Sequence, residues 1–273
     1  MKKVKILSIL NSIVFIIAFL ISNLSQFKYF GTQNIGEVSD KYQTLFAPAG
    51  FTFGIWGLIY LSLFAFNFYH LNKAFTASEK NEFNEYTRSI DIYFIINNIA
   101  ASAWVFAWIN EQLGLSVILM LVQLITLLLI NIRLHIYNPH TNWSVKIVTQ
   151  MPFSIYFGWI CVATIANISA FLVSVNWDGA GISDSYWLII LIGLSVLLTL
   201  FLVFVRRNLF FAMVIMWALY GIMDKNTSTQ PEFYQNINQA IITAMAVIAL
   251  SIIIQSVNNI KLARINAKTP YIS

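Results

Sequence analysis

Eight long apolar runs constrain this chain more than any other feature of its sequence. A helix needs about 20 apolar residues to cross a bilayer, and every run comes close to that length. Of the 273 residues, 59% are hydrophobic and only 10% are charged, a balance that a soluble core of this size would not need. The sequence therefore predicts an all-α integral membrane protein with eight transmembrane helices. The runs cover roughly residues 4–23, 51–70, 92–110, 113–132, 148–174, 186–205, 208–223 and 237–257.

The cationic residues predict the orientation of these helices. If the amino terminus is cytoplasmic, only Lys28, Lys41 and Lys225 of the 16 Lys and Arg residues fall on the outer side. An even number of spans then places both termini in the cytoplasm, and a bacterial inner membrane is the expected location. Lys2 and Lys3 before an apolar stretch also describe a signal peptide, but no small-x-small cleavage site follows. We therefore expect the first helix to be retained.

Two polar stretches divide the membrane region. Residues 24–50 are too long for a simple connection, and we expect this loop to fold over a cavity as a lid. Residues 176–185 are rich in Gly, Asp and Ser, and they predict a boundary between a five-helix unit at 1–175 and a three-helix extension at 176–273. Residues 71–91 carry charges of both signs, which is typical of a solvated surface helix or loop.

A turn followed directly by an aromatic helix lies at residues 47–60, APAGFTFGIWGLIY. Pro48 and Gly50 cannot both lie inside a regular helix, so the chain must turn before the second span begins. Phe53, Trp56 and Tyr60 then follow at helical spacing. The pattern predicts a cavity mouth whose wall is an aromatic helix.

Two further stripes of aromatic, small and amide side chains occur at helical spacing. They consist of Asn97, Trp104 and Trp108 in the third span and Trp159, Ala163 and Asn167 in the fifth. Together with the aromatic helix wall they predict a pocket in which amide groups orient a flat apolar ligand. Pro152 precedes the fifth-span stripe by about two turns and predicts a kink.

Each of these residues also has an ordinary structural interpretation. Tryptophan near a span end, as at Trp108, commonly anchors a helix at the membrane interface. Deeper tryptophans such as Trp56 and Trp159 fit an ordinary packed core. Asn97 and Asn167 fit interhelical hydrogen bonds as well as they fit ligand contacts.

Catalytic, metal-binding and nucleic-acid-binding patterns are missing from the sequence. All acidic residues lie in loops or at span ends, which argues against an ion-coupled pump. His70, His135 and His140 lack metal-ligand spacing, and no phosphate loop or nucleophile elbow is present. We assign no catalytic residue and no metal, and we do not expect an enzyme. No basic run alternates with stacking aromatics, so no nucleic-acid partner is expected.

Two motifs resemble the TspO/MBR family, the tryptophan-rich sensory or translocator proteins. The first, leading into the second helix, consists of Pro48, Gly50, Phe53, Trp56 and Tyr60. The second, in the fifth helix, consists of Trp159, Ala163, Thr164 and Asn167 in the pattern W-x-x-x-A-T-x-x-N. The chain departs from the family pattern at Ala49, Ala101 and Ile155, where the family usually has Pro, Asn and Pro. The resemblance covers about residues 4–174, and larger bacterial members look similar in carrying an extension.

The resemblance implies a five-helix bundle with a pocket open toward the loop between its first two helices. It implies a porphyrin, another tetrapyrrole or a sterol-like molecule as the ligand, with no obligatory cofactor, and it is compatible with a homodimer. The expected function is therefore binding of a small hydrophobic molecule within the lipid bilayer, in a sensor, scavenger or regulatory role. The alternative is a passive or facilitated transporter for such a molecule.

Overall fold

The computed structural model describes residues 1–136, 138, 141–229 and 235–268, and within these ranges the chain is helical without strands. The helices are α1 (Lys2–Gln26), α2 (Ile35–Lys41), α3 (Ile55–Thr76), α4 (Glu82–Ile90), α5 (Tyr93–Ile109), α6 (Leu113–Arg133), α7 (Trp143–Val145), α8 (Met151–Ser174), α9 (Asp184–Arg206), α10 (Leu209–Thr229) and α11 (Gln235–Lys268). Short 3₁₀ turns lie at Gly50–Gly54 and Gly179–Gly181, and a π-helical turn lies at Lys146–Gln150. The fold class predicted from the sequence is confirmed.

Seven helices in the described part of the chain are long and apolar enough to cross a membrane alone, and a bent pair brings the number to eight. The bent pair consists of α4 and α5, which meet at 52°, and α5 is the predicted third span. Asp91, between them, has a φ of 47° and a ψ of −130°, a non-helical conformation that ends α4. The third span is therefore shorter than the predicted 92–110 and is preceded by a separate helix.

Helix α4 lies in the segment predicted to be a solvated surface element. It buries one face, which includes Phe83, Thr87 and Ile90. Thr87 accepts a hydrogen bond from His70 Nδ1 of α3 at 2.8 Å, because the Thr87 hydroxyl itself donates to the Phe83 carbonyl. His70 Nε2 accepts from Thr149 Oγ1, also at 2.8 Å. His70 thus joins α3, α4 and the π-helical turn.

In the part of the chain described above, no group of three or more His, Cys, Asp and Glu side chains converges. His140 lies outside the described residues. The kink predicted at Pro152 stays a prediction. The helix there contains a π-helical turn at Lys146–Gln150, which ends directly before α8. Because the helix continues through this turn from Trp143, the missing N–H of Pro152 removes one hydrogen bond of the helical ladder.

Five membrane helices form a ring. Helix α1 packs against α3 and α5, α5 packs against α6, and α6 packs against α8, which also contacts α3. The last three helices pack against one another, and α10 joins them to α8. Gly158 permits this close approach, since a Cβ there would lie 3.0 Å from Cβ of Val214. The last three helices are thus in direct contact with the ring.

Candidate functional site

A cavity of about 700 Å³ lies inside the ring. Its volume falls within the range of roughly 300–1,000 Å³ that is typical of small-molecule sites. Its walls come from α1, α3, α5, α6 and α8, and the segment 35–50 lines one end. Leu61 of α3 also lines the cavity although 70% of its surface is exposed, so the cavity reaches the outer surface of the bundle beside α3.

Most of the residues predicted from the sequence line this cavity. They are Phe53, Trp56, Tyr60, Trp104, Trp108, Trp159, Ala163 and Asn167. Trp56 stacks on Tyr60 with ring centroids 5.4 Å apart, and Trp104 stacks on Trp108 at 5.5 Å. Phe53 meets the ring of Trp159 edge-on at 5.7 Å. The helical spacing of the aromatics therefore produces aromatic walls on α3 and α5, with Trp159 of α8 beside the mouth.

Asn97 is the one predicted site residue that does not line the cavity. Its side-chain amide donates to the Gln123 carbonyl at 3.2 Å and to Thr126 Oγ1 at 3.0 Å, so it lies between α5 and α6. Asn98, the next residue, lines the cavity instead. Successive helical residues point about 100° apart, so Asn97 and the adjacent Asn98 lie on different faces of α5, and only Asn98 is on the face toward the cavity.

Asn167 lines the cavity, and both ends of its amide are occupied by protein groups. Its oxygen accepts from Trp104 Nε1 at 2.8 Å, and its nitrogen donates to Ser116 Oγ at 2.8 Å. Asn167 therefore forms the interhelical hydrogen bonds that were the alternative to a ligand contact in the sequence analysis. Asn167 joins α5, α6 and α8 and fixes the orientation of the Trp104 ring.

The loop predicted to be a lid contains α2 and lines the outer end of the cavity. Asn34 and Glu37 form a capping box at the start of α2, which explains why a helix forms within a polar loop. Trp108 is only 5% exposed, and its indole N–H donates to the Ile35 carbonyl at 3.0 Å. Trp108 thus attaches the lid to α5 and does not project toward lipid as an interfacial anchor would.

Glu111 provides a second attachment for the lid. It lies in the turn between α5 and α6 and accepts hydrogen bonds from three lid residues at 2.6–2.7 Å. These are Lys41, Tyr42 and Gln33. Hydrogen bonds from Lys41 first, then from Tyr42 and Gln33, lower the pKa of Glu111 to about 2. A carboxylate held this way favours the closed position of the lid.

The mouth of the cavity is held by α10, one of the last three helices. No pattern in the sequence predicts this contact. The Ala49 N–H donates to the Gly221 carbonyl at 3.0 Å, and Trp217 Nε1 donates to the Thr52 carbonyl at 2.9 Å. Phe51 packs edge-on against Trp217, with ring centroids 5.5 Å apart. A Cβ at Gly221 would lie 2.0 Å from Thr52 Oγ1 and 3.0 Å from Thr52 Cβ. Only glycine allows this approach of α10 to the mouth.

We expect Gly221→Ala to destabilise the protein by about 1–3 kcal/mol, because rotating the Thr52 side chain does not move its Cβ and the mouth must shift. Gly193→Ala in α9 is the matched control, since a Cβ there meets open space. Alanine is the better helix former by about 1 kcal/mol, so the control should be unchanged or more stable. The thermal unfolding midpoint in detergent measures both. Equal midpoints for the two variants would contradict the close approach.

We expect the lid to loosen in acid as Glu111 is protonated. The folded pKa, about 2, is below the ordinary value of 4.5, so the stabilisation is present above about pH 4.5 and is lost as the pH falls toward 2. Hydrogen exchange of the amides in 33–42, corrected for intrinsic rates, should therefore accelerate over that range. Glu111→Gln should show fast exchange already at pH 6, whereas Glu85→Gln in α4 should behave as wild type. An unchanged lid in Glu111→Gln would contradict the attachment.

Comparison with known protein families identifies the family of this chain. A family model described as "TSPO-like protein" matches residues 8–255. Comparisons with curated proteins and with solved structures found no match. The matched range includes α9, α10 and most of α11. It therefore extends beyond residues 4–174, the part of the sequence that resembles the TspO/MBR motifs. The division into units at 1–175 and 176–273 stays a prediction. Since the model covers most of the chain, this multi-pass membrane protein belongs to the TSPO-like protein family.

Proposed function

We propose that this protein binds a flat hydrophobic small molecule, such as a tetrapyrrole or a sterol-like molecule, in the cavity. The observation that carries the proposal is the pair of stacked aromatic walls, Trp56 on Tyr60 and Trp104 on Trp108, around a space of about 700 Å³. Flat apolar molecules gain both buried area and ring stacking in such a site. A sensor, scavenger or regulatory role is consistent with a binding protein that carries no assigned catalytic group.

The packing beyond the cavity favours binding over passage. Phe15 lies at the end of the cavity away from the lid, and the ring of Phe94 stacks against it. The rings of Phe66, Phe94 and Phe153 pack with one another. All four side chains are at most 2% exposed. A transport path would have to open this packed layer, whereas a binding site needs only the lid or the opening beside α3.

Two further expectations belong to this proposal. The charge asymmetry predicts both termini in the cytoplasm and the lid on the opposite side, and a bacterial inner membrane is the expected location. The family resemblance is compatible with a homodimer.

We expect saturable quenching of tryptophan fluorescence when the protein in detergent is titrated with protoporphyrin or, separately, with protoporphyrin dimethyl ester. Trp56→Ala and Trp159→Ala should each weaken binding about threefold to tenfold, because each removes a ring from the cavity wall. Trp143→Ala is the matched control, since Trp143 is 72% exposed and does not line the cavity. The proposal is wrong if neither porphyrin quenches saturably, or if both wall variants bind as tightly as the control.

We expect protein reconstituted in liposomes to take up a bound porphyrin to a fixed stoichiometry and then stop. The packed layer of phenylalanines explains this result, since it separates the cavity from the far side of the bundle. Uptake into the lumen that continues with time, above the rate in protein-free liposomes, would favour the transporter alternative.

A further inference from the structure

The end of the cavity farthest from the lid, here called the inner end, is partly polar. It is formed by Phe15, Leu63, Asn98, Gln123 and Tyr156, which lie on five helices. On α1, α5, α6 and α8 these are the lining residues farthest along the helix from the lid. The inner end therefore contains two amides and a phenol among apolar side chains.

Gln123 has an unused hydrogen-bond donor at this position. The residue is 2% exposed, and its Nε2 has no hydrogen-bond partner among the described residues. Its Oε1 accepts a long hydrogen bond, 3.4 Å, from the Tyr156 hydroxyl. A buried amide N–H without an acceptor costs free energy, and such a group in a native protein calls for an explanation. Gln123 lines the cavity and Nε2 itself has almost no accessible surface, so the amide must turn toward the cavity before a ligand can supply the acceptor.

Asn98 adds to the donor character of the inner end. Its Nδ2 donates to the Phe94 carbonyl at 2.7 Å, which uses one of its two N–H groups. The inner end thus offers amide N–H groups to a ligand, and an acceptor oxygen is a group that fits them.

The charges around the cavity indicate that this acceptor is uncharged. Among the described residues that line the cavity there is no Lys, Arg or His. The one charged lining residue is Asp40, which lies in the lid segment at the outer end and interacts electrostatically with Lys225 of α10. A carboxylate at the inner end would be desolvated without a cation beside it, which is strongly unfavourable.

We propose that Gln123 forms a polar subsite at the inner end, where its side-chain amide donates a hydrogen bond to an uncharged acceptor oxygen of the ligand, such as that of an ester, a ketone or an ether. This subsite deepens the proposed binding function and depends on it. It assigns the ligand an orientation, with the acceptor at the inner end and the apolar body between the aromatic walls.

Three porphyrins test the subsite by the same quenching titration. Etioporphyrin carries only alkyl substituents, protoporphyrin dimethyl ester carries uncharged ester oxygens, and protoporphyrin carries two carboxylates. Wild-type protein should bind the ester about fivefold to tenfold more tightly than etioporphyrin, the effect of one good hydrogen bond to a buried donor. It should bind the diacid more weakly than the ester.

Gln123→Met keeps the length of the side chain and removes the donor. In this variant the ratio of ester affinity to etioporphyrin affinity should fall to about one. The thermal unfolding midpoint should change little, because the unpaired donor is removed together with the long hydrogen bond that Oε1 accepts from Tyr156. Leu124→Met is the matched control, since Leu124 lies on α6 beside Gln123, does not line the cavity and has no donor to lose. The control should keep the wild-type ratio.

The outcomes separate the subsite from the binding function itself. A wild-type ratio near one, a ratio unchanged in Gln123→Met, or an equal loss of all three porphyrins with a lower midpoint would overturn the subsite and leave the binding function standing. Tighter binding of the diacid than of the ester would overturn the uncharged acceptor. The wild-type comparison decides the question even where the variant does not fold. Failure of all three porphyrins to bind saturably would overturn both proposals.

Discussion

The two hydrogen bonds of Asn167 hold together the helices that enclose the cavity. One amide links Trp104 of α5 to Ser116 of α6 from a position on α8. In a bilayer, side-chain polar groups find no water, and their partners must come from neighbouring helices. The same bonds that satisfy Asn167 therefore fix the register of three helices and the orientation of an aromatic wall. Two contacts follow from that placement. Trp104 stacks on Trp108, and Trp108 donates a hydrogen bond to the Ile35 carbonyl of the lid.

The lid and the mouth are attached to different parts of the molecule. The lid is attached to the α5 end of the ring, through Trp108 and the carboxylate of Glu111. The mouth is attached to α10, through the backbone at Gly221 and the indole of Trp217. Movement of the lid thus requires breaking charge-assisted hydrogen bonds, whereas movement of the mouth requires a shift of a packed helix. The two ends of segment 35–54 should therefore differ in mobility, with the lid the more easily opened.

This arrangement gives the last three helices a structural role in the site. A TSPO-like family model that extends to residue 255 is consistent with a site completed by α10. The mouth residues Ala49 and Thr52 rest on that helix, so the outer shape of the cavity depends on residues more than 160 positions away in sequence. The shape of the outer end then depends on α10, while the shape of the inner end depends on the ring.

The sequence by itself determined the class of fold and most of the cavity wall. Apolar runs of bilayer length leave helices as the solution, because only a helix satisfies its own backbone in lipid. Helical spacing placed Trp56 with Tyr60 and Trp104 with Trp108, since residues three or four apart share a face. These features are local along the chain and therefore readable from it.

Only the tertiary structure decided which amides face the cavity and what holds its mouth. Asn97 and Asn98 are adjacent and chemically identical, and their roles differ because packing against α6 sets the rotation of α5. The importance of Gly221 arises from a contact with Thr52, which no local pattern encodes. The donor of Gln123 is unused because no described residue around it offers an acceptor. The rotation of a helix about its axis, the close approach of two helices and a hydrogen-bond donor without a partner all depend on how helices pack together. They therefore exist only once the chain has folded.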